Sequence, residues 1–341
     1  MIPERKLTEQ PSPALLFDTI NAHQRTEAIK SAIELNLFTA IGTGKTTARE
    51  IADACQAAER GIRILCDYLV IMGFLTKEQR NYGLTPDSSM FLDRRSPAYM
   101  GSVIDFMLSP MLTDNFKKLT EAVKKGGSAA DDDAVVAPDH PVWVKFARAM
   151  APMMAMPAQL LAKLVDPDAN QKLKILDIAA GHGLFGLAFA KQNSQAEVTA
   201  VDWSNVLEVA KENAQSAGAA DRYHTRVGSA FDVDYGEGYD IVLLTNFLHH
   251  FDVPTCEVLL QKINSSLAEG GRVVTLEFVP NDDRVTPPQA AAFSMMMLGA
   301  TPGGDAYTFA ELDQMFRNTG FSVSELHELP PTIQRVVISH K

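Results

Sequence analysis

Cysteine is scarce in this chain: only Cys55, Cys66 and Cys256 occur among 341 residues. They show no metal-ligand spacing and an odd number cannot all pair, so neither a metal module nor a disulfide framework is expected, and a reducing, cytoplasmic setting fits best. Positive charge is in deficit too. With 31 Lys+Arg against 42 Asp+Glu the formal charge is −11, which argues against a nucleic-acid partner because phosphate binding needs a basic face. Residues 1–100 do not share the excess of acid, holding 12 residues of each sign. No apolar run reaches membrane-spanning length, and the start, MIPERKLTEQPSP, has no apolar signal-peptide core, so no membrane partner is expected. No internal repeat is visible. What remains is a soluble enzyme or binding protein with room for two domains.

The pattern along the chain divides it in three. Over residues 1–100, SAIELNLFTAI, TTAREIADACQ and GIRILCDYLVIMGFL read as three helices, the second opening on a threonine cap, and FLTKEQRNYGLTP reads as strand, turn, strand. Three helices and a two-stranded wing make a winged helix. Residues 101–171 read as helical, with Met- and aromatic-rich stretches on either side of a Gly-, Asp- and Pro-rich loop, KKGGSAADDDAVVAPDHP. Over residues 172–341 strands alternate with helices, the pattern of a parallel α/β sheet. KILDIA, EVTAVD, YDIVLLT and GRVVTLEFV are buried-strand candidates, and YHTRVG is a weaker one. FSVSELHEL and TIQRVVIS are joined too tightly for a crossover helix and must pair antiparallel.

LDIAAGHGLFG leaves a strand, turns on glycine and opens a helix; Gly181, Gly183 and Gly186 complete a GxGxxG that lets backbone approach a nucleotide cofactor. Asp177, just before the turn, would repel a dinucleotide's pyrophosphate but can attract the sulfonium and ammonium of S-adenosylmethionine. Asp202, ending the second strand, is placed to accept from ribose hydroxyls, or else to cap the next helix. Trp203 beside it could cover an adenine or simply pack. TAIGTGKTT is not a P-loop, since Thr39 stands where the first glycine belongs.

Taken in order, DIAAGHG, VDWSNV, LHHFDVPTCEVLLQKI, TLEFVP and TPGGDAYTFAELDQMFRNTGF resemble the two-domain O-methyltransferases typified by plant caffeic acid and flavonoid O-methyltransferases and their bacterial relatives. The likeness runs from about residue 14 to the end. It implies a Rossmann-like S-adenosylmethionine methyltransferase sheet with an antiparallel C-terminal strand pair, preceded by a winged-helix dimerisation domain, and hence a homodimer. It also implies that Asp177, Gly181 and Gly183 line the cofactor site with Ser229, Ala230 and Phe231 after the third strand, and that Asp202 holds the ribose. His249 matches the family's catalytic histidine, Glu277 the carboxylate that orients it, and Phe146, Met150 and Met297 the grip on an aromatic acceptor. Four positions depart from the family pattern. Ser229 replaces an acid that reads the adenine amino group, Thr245 a lysine, His250 an aspartate, and Ala306 a second glutamate.

Direct displacement at a sulfonium methyl needs acceptor, carbon and sulfur in line, and a phenol of pKa about 10 needs a nearby base. His249 follows a strand at the sheet's C-terminal edge, and Glu277, ending the next strand, can fix its tautomer. His250 reads as a loop or cap residue; no third ligand follows the His-His pair, so no metal site is expected. Asn246 could touch acceptor or cofactor, or only cap its strand. The SMMML run and the Met-rich helices could line an adaptable apolar pocket, though most of those methionines read as core. Other readings remain open: a winged-helix regulator with a small-molecule sensor, an NAD oxidoreductase, an N-methyltransferase, and a methyltransferase fold with altered activity.

Overall fold

A computed structural model describes residues 11–129 and 141–341, so most of the Asp-rich loop expected near 124–141 lies outside the described residues. The chain divides into two units, Met1–Ile104 and Asp105–Lys341.

In the first unit α1 (Ala14–Ile20), α2 (Ala22–Glu34), α3 (Leu37–Gly42), α4 (Ala48–Cys55) and α5 (Glu59–Ile71) precede the antiparallel hairpin β1 (Leu75–Glu78) and β2 (Asn81–Leu84), followed by α6 (Pro86–Phe91). The stretch SAIELNLFTAI, expected as one helix, is two. Asn36 takes a left-handed φ of 55° between α2 and α3, a conformation that asparagine tolerates better than most residues. α4 starts on a capping box: Thr47 accepts from the Glu50 amide and the Glu50 carboxylate accepts from the Thr47 amide at 2.9 Å. Phe38, Ile51, Ile62, Leu69 and Tyr82 close the core. By contrast α1 exposes Leu15, Leu16, Phe17 and Ile20, each by 58–59%.

α7 (Ile104–Met107) begins at the last residue of the first unit, and the second unit continues with α8 (Pro110–Lys117), α9 (Leu119–Lys125) and the 25-residue α10 (Pro141–Val165). FMLSPML, expected as one helix, breaks before Pro110, because proline disfavours helical backbone at the residue it follows and Ser109 is extended. Pro152 and Pro157 lie inside α10 without ending it. The α/β part runs β3 (Leu173–Ile178), α11 (Leu184–Gln192), β4 (Ala196–Asp202), α12 (Ser204–Ser216), β5 (Tyr223–Val227), β6 (Tyr239–Thr245), α13 (Val253–Ser266), β7 (Leu267–Glu277), α14 (Pro288–Ala300), α15 (Phe309–Asn318), β8 (Val323–Glu328) and β9 (Arg335–His340). The strands form one sheet in the order β5-β4-β3-β6-β7-β9-β8. β3 to β7 are parallel, while β9 is antiparallel to both β7 and β8. The expected tight C-terminal pair is therefore present. Strand order reverses between β3 and β6, and the crevice at the carboxyl ends of these strands is where open α/β sheets bind ligands. Ile175, Leu176, Val242, Leu244, Val273 and Val337 are fully buried in the sheet.

Gly186 lets α11 lie close to the sheet: a Cβ there would stand 2.7 Å from Val198 Cγ1 and 2.9 Å from Asp177 Oδ2. Gly186→Ala is expected to cost about 1–3 kcal/mol in urea unfolding. Gly61→Ala, inside α5 with nothing within 4 Å of the new methyl, is expected to gain roughly 0.5–1 kcal/mol. Equal effects of the two substitutions would contradict this packing.

Candidate active site

Two turns meet at the reversal of strand order. The first follows β3: Ala179, Gly181 and Gly183 all take left-handed φ, and α11 begins directly after Gly183. A Cβ on Gly183 would lie 2.5 Å from the Tyr223 hydroxyl and 2.9 Å from Ala210 Cβ, so only glycine lets the turn reach β5 and α12. Asp202 ties this turn to the end of β4, accepting from the Gly181 amide at 2.8 Å and from the Trp203 amide at 2.7 Å. Trp203, rather than Asp202, occupies the cap position of α12. The Asp177 carboxylate points inward and accepts from the Gly186 amide at 3.0 Å, while its second oxygen and the Tyr223 hydroxyl are buried without a partner.

The second turn follows β6. The Asn246 amide donates to the Leu276 carbonyl at 2.8 Å, and its side chain reaches Gln334 and Met154 Sδ. Glu277, ending β7, accepts from the Phe247 amide at 2.9 Å with one oxygen and holds His249 Nδ1 at 2.5 Å with the other. Both side chains are buried. His249 Nε2 has no hydrogen-bond partner among the described residues, and the ring stands edge-on to Phe293 of α14 at 4.8 Å. Met297 lies one turn further along that helix. Behind the histidines sits the turn Pro302-Gly303-Gly304: a Cβ on Gly304 would lie 2.1 Å from the His249 carbonyl oxygen. Ala306 is buried next to this turn.

A cavity of about 540 Å³ opens between the two turns, within the range of small-molecule sites. Of the residues singled out in the sequence, Phe146, Gly181, Asp202, Trp203, Ser229, Ala230, Phe231 and Asn246 line it. Asp177, Gly183, Met150, Met297, His249 and Glu277 do not: the first two lie under the glycine turn, Met150 and Met297 are buried in α10 and α14, and the His-Glu pair sits beside the wall. The wall also carries residues the sequence reading passed over, among them Trp143, Asp232, Phe247, Phe251 and Asp252. Trp143 could have been found, since it shares a helical face with Phe146 and Met150 at spacings of three and seven. His250, expected in a loop or cap role, forms part of the wall, with its ring 4.3 Å from that of His249. For Asp232 there was no signal. Among the described residues no group of three or more His, Cys, Asp or Glu side chains could hold a metal ion, and no helix is long and apolar enough to cross a membrane.

Residues 116–322 match the family model of the O-methyltransferase domain, and residues 17–94 that of the O-methyltransferase dimerisation domain. Among curated proteins, the chain is 28% identical to 3-hydroxy-5-methyl-1-naphthoate 3-O-methyltransferase of Streptomyces sahachiroi over 91% of this chain and 90% of that one. It is 25% identical to the tetracenomycin polyketide synthesis 8-O-methyl transferase of Streptomyces glaucescens, over 92% and 93%. Among solved structures, a candidate O-methyltransferase from Nostoc punctiforme is 59% identical and superposes with a TM-score of 0.93, covering 98% of this chain and 100% of that one. Human N-acetylserotonin methyltransferase, in complex with S-adenosylmethionine, shares the fold at 20% identity, with a TM-score of 0.84 and 99% of both chains covered.

The buried acids set how this site answers to pH. Burial, reinforced by the charge of Asp202, pushes the Asp177 carboxyl up to about 7. Burial lifts Asp202 to about 6 against its two backbone donors, and lowers His182, between the two turn glycines, to about 4. The raised carboxyls bind more protons folded than unfolded, so their contribution is full at low pH and is lost as pH climbs through about 7. His182 acts oppositely, costing stability as pH falls below about 6.5. Asp177→Asn removes one of these titrations. Its stability relative to wild type is expected to rise between about pH 4 and 7, by up to about 1.4 kcal/mol per pH unit, and to level off above. Urea midpoints across that range check this, and a difference independent of pH would contradict it.

Proposed function

Because the chain belongs to the O-methyltransferase family, we propose that it transfers a methyl group from S-adenosylmethionine to a hydroxyl of a small aromatic or polycyclic acceptor. The observation that carries this reading is the buried His249–Glu277 pair, with Nδ1 to Oε2 at 2.5 Å, beside a cavity that holds an acid and a glycine turn at the sheet's switch point. The naphthoate and tetracenomycin relatives favour a fused-ring acceptor for this chain as well.

The wall fits the cofactor chemically. Asp202 is a carboxylate raised by burial and only partly compensated by two amides, so hydroxyl donors of a ribose would stabilise its charged form. Gly181, Trp203, Ser229, Ala230, Phe231 and Asn246 would surround the nucleoside and amino-acid parts, and Gly183 and Asp177 would shape the turn from beneath. When bound, S-adenosylmethionine supplies an electrophilic methyl on a cationic sulfur.

The protein's own groups then do two things. Glu277, itself fixed by the Phe247 amide, accepts a hydrogen bond from His249 Nδ1–H and so keeps the proton on that nitrogen, which leaves Nε2 as the lone-pair nitrogen able to take the acceptor's hydroxyl proton. Phe146, in the cavity wall, would hold the acceptor ring so that its oxygen meets the methyl in line, while Met150 and Met297 stay buried in α10 and α14. With Ala306 in place of a second glutamate, the base relies on Glu277 alone. Residues 101–171 thus serve the acceptor and residues 172–341 the cofactor, while residues 1–100 make a homodimer. The dimerisation-domain match and the exposed Leu15, Leu16, Phe17 and Ile20 of α1 support that last role.

Calorimetric titration is expected to show micromolar binding of S-adenosylmethionine and none of NADH or ATP. With hydroxynaphthoates as acceptors, His249→Ala is expected to lower kcat about 10²–10⁴-fold while the cofactor still binds, and Glu277→Gln to lower it less. Folded protein that does not bind S-adenosylmethionine would overturn the reading.

A further inference from the structure

His250 stands in the cavity wall and the chemistry above gives it no task. It follows the base directly in the chain, lines the cavity and is half-buried. Its ring centroid lies 4.3 Å from that of His249, with the two planes inclined by 42°. Trp143 and Phe247 flank it at 6.5 and 6.4 Å, so the imidazole is one face of an aromatic wall beside the base.

The two nitrogens of this ring differ. Nδ1 is buried without a hydrogen-bond partner. Nε2 has no partner among the described residues either, but it is not buried, so the edge of the ring open to a ligand carries Nε2. Burial and the neighbouring His249 push His250 well below the usual histidine range, so the ring is neutral and carries a single N–H. Folded proteins leave buried N–H donors unpaired less readily than acceptors, which assigns that proton to Nε2. The wall thus presents an uncharged N–H donor next to the base.

The charged side chains around it cannot play that part. Asp202, Asp232 and Asp252 are all acceptors, and no lysine or arginine lines the cavity among the described residues. The Asn246 side chain is already engaged with Gln334 and with Met154 Sδ.

Spacing says what a base and a donor placed side by side can grip. Two rings 4.3 Å apart reach two oxygens that are themselves close together. On a fused arene that is a hydroxyl ortho or peri to a carbonyl, whose oxygens lie within one hydrogen bond of each other, about 2.5–3.0 Å. In the free molecule the carbonyl oxygen holds the hydroxyl proton. A donor at the carbonyl competes for that oxygen and releases the proton to the base.

Resting on the methyl-transfer reading above, we propose that His250 Nε2–H donates to a carbonyl oxygen next to the hydroxyl being methylated, so that the protein selects hydroxy-carbonyl arenes over simple phenols and diols. The hydroxyl proton passes to His249 Nε2, the methyl leaves sulfur for oxygen, and the His250 proton stays where it is. A carboxylate in place of His250 would set two acceptors against each other at the carbonyl and would suit a second hydroxyl instead.

The test titrates the complex with S-adenosylhomocysteine, which requires no turnover, with 2-naphthol, 2,3-dihydroxynaphthalene and methyl 3-hydroxy-2-naphthoate. Wild type, His250→Phe and His250→Asp are compared, and thermal unfolding and S-adenosylhomocysteine binding show that each is folded. His250→Phe keeps a ring in the wall without the N–H. It is expected to lower the wild-type preference for the ester over 2-naphthol by about 3- to 10-fold, the worth of one neutral hydrogen bond. His250→Asp is expected to turn the preference from the ester to the diol. The assignment is overturned if wild type prefers the diol to the ester, if His250→Phe keeps the wild-type ratio, if His250→Asp still favours the ester, or if wild type binds none of the three. In each of those cases the cofactor reading stands. Folded wild type that does not bind S-adenosylhomocysteine overturns both.

Discussion

Glu277 joins two parallel strands at the point where a ligand can enter the sheet. It ends β7, and its two oxygens reach across to the turn that leaves β6, one to the Phe247 amide and one to His249 Nδ1. Everything on the histidine side of the site takes its position from that span. Because the carboxylate is buried, its charge is compensated by these donors and, at 3.4 Å, by the His249 amide, and moving the turn would leave it short of partners. The imidazole is thus oriented by the sheet rather than by a flexible loop. The turn at Gly304, in contact with the backbone of the same histidine, closes the arrangement from behind.

The cofactor side is built differently, from backbone and buried acid. Asp177 and Asp202 are both lifted by burial, Asp177 further by the charge of Asp202, and Asp177 and Tyr223 each keep a buried polar atom without a partner. Native proteins leave few such atoms unpaired, and they concentrate where function outweighs stability. A wall that holds partly uncompensated carboxyls is less stable by itself and more receptive to a ligand with hydroxyl and cationic groups. Asp232, in the same cavity wall, differs from these two in being exposed.

Element types were legible wherever the signal was local. The threonine cap of α4, the strand runs of β3, β4, β6 and β7 and the glycine turn each follow from spacing within a dozen residues. The misreadings were also local in origin. Asn36 splits a helix because asparagine can enter the left-handed region, and Pro110 splits another through the conformation it imposes on Ser109. Neither break disturbs the apolar periodicity, so periodicity did not reveal them.

By itself the sequence determined the alternation of strands and helices, the antiparallel closing pair and the residue types at each strand end, because these depend on backbone geometry and side-chain periodicity over short distances. Only the tertiary structure decided which of those strand-end residues share a space. His249 and Glu277 are 28 positions apart in the chain and meet because β6 and β7 are neighbours. Asp177, adjacent to the glycine turn in sequence, faces into the protein, whereas His250 and Asp232 stand on the cavity wall. Which way a side chain points from a turn depends on the φ of one or two residues and on what packs behind them, and both belong to the assembled sheet.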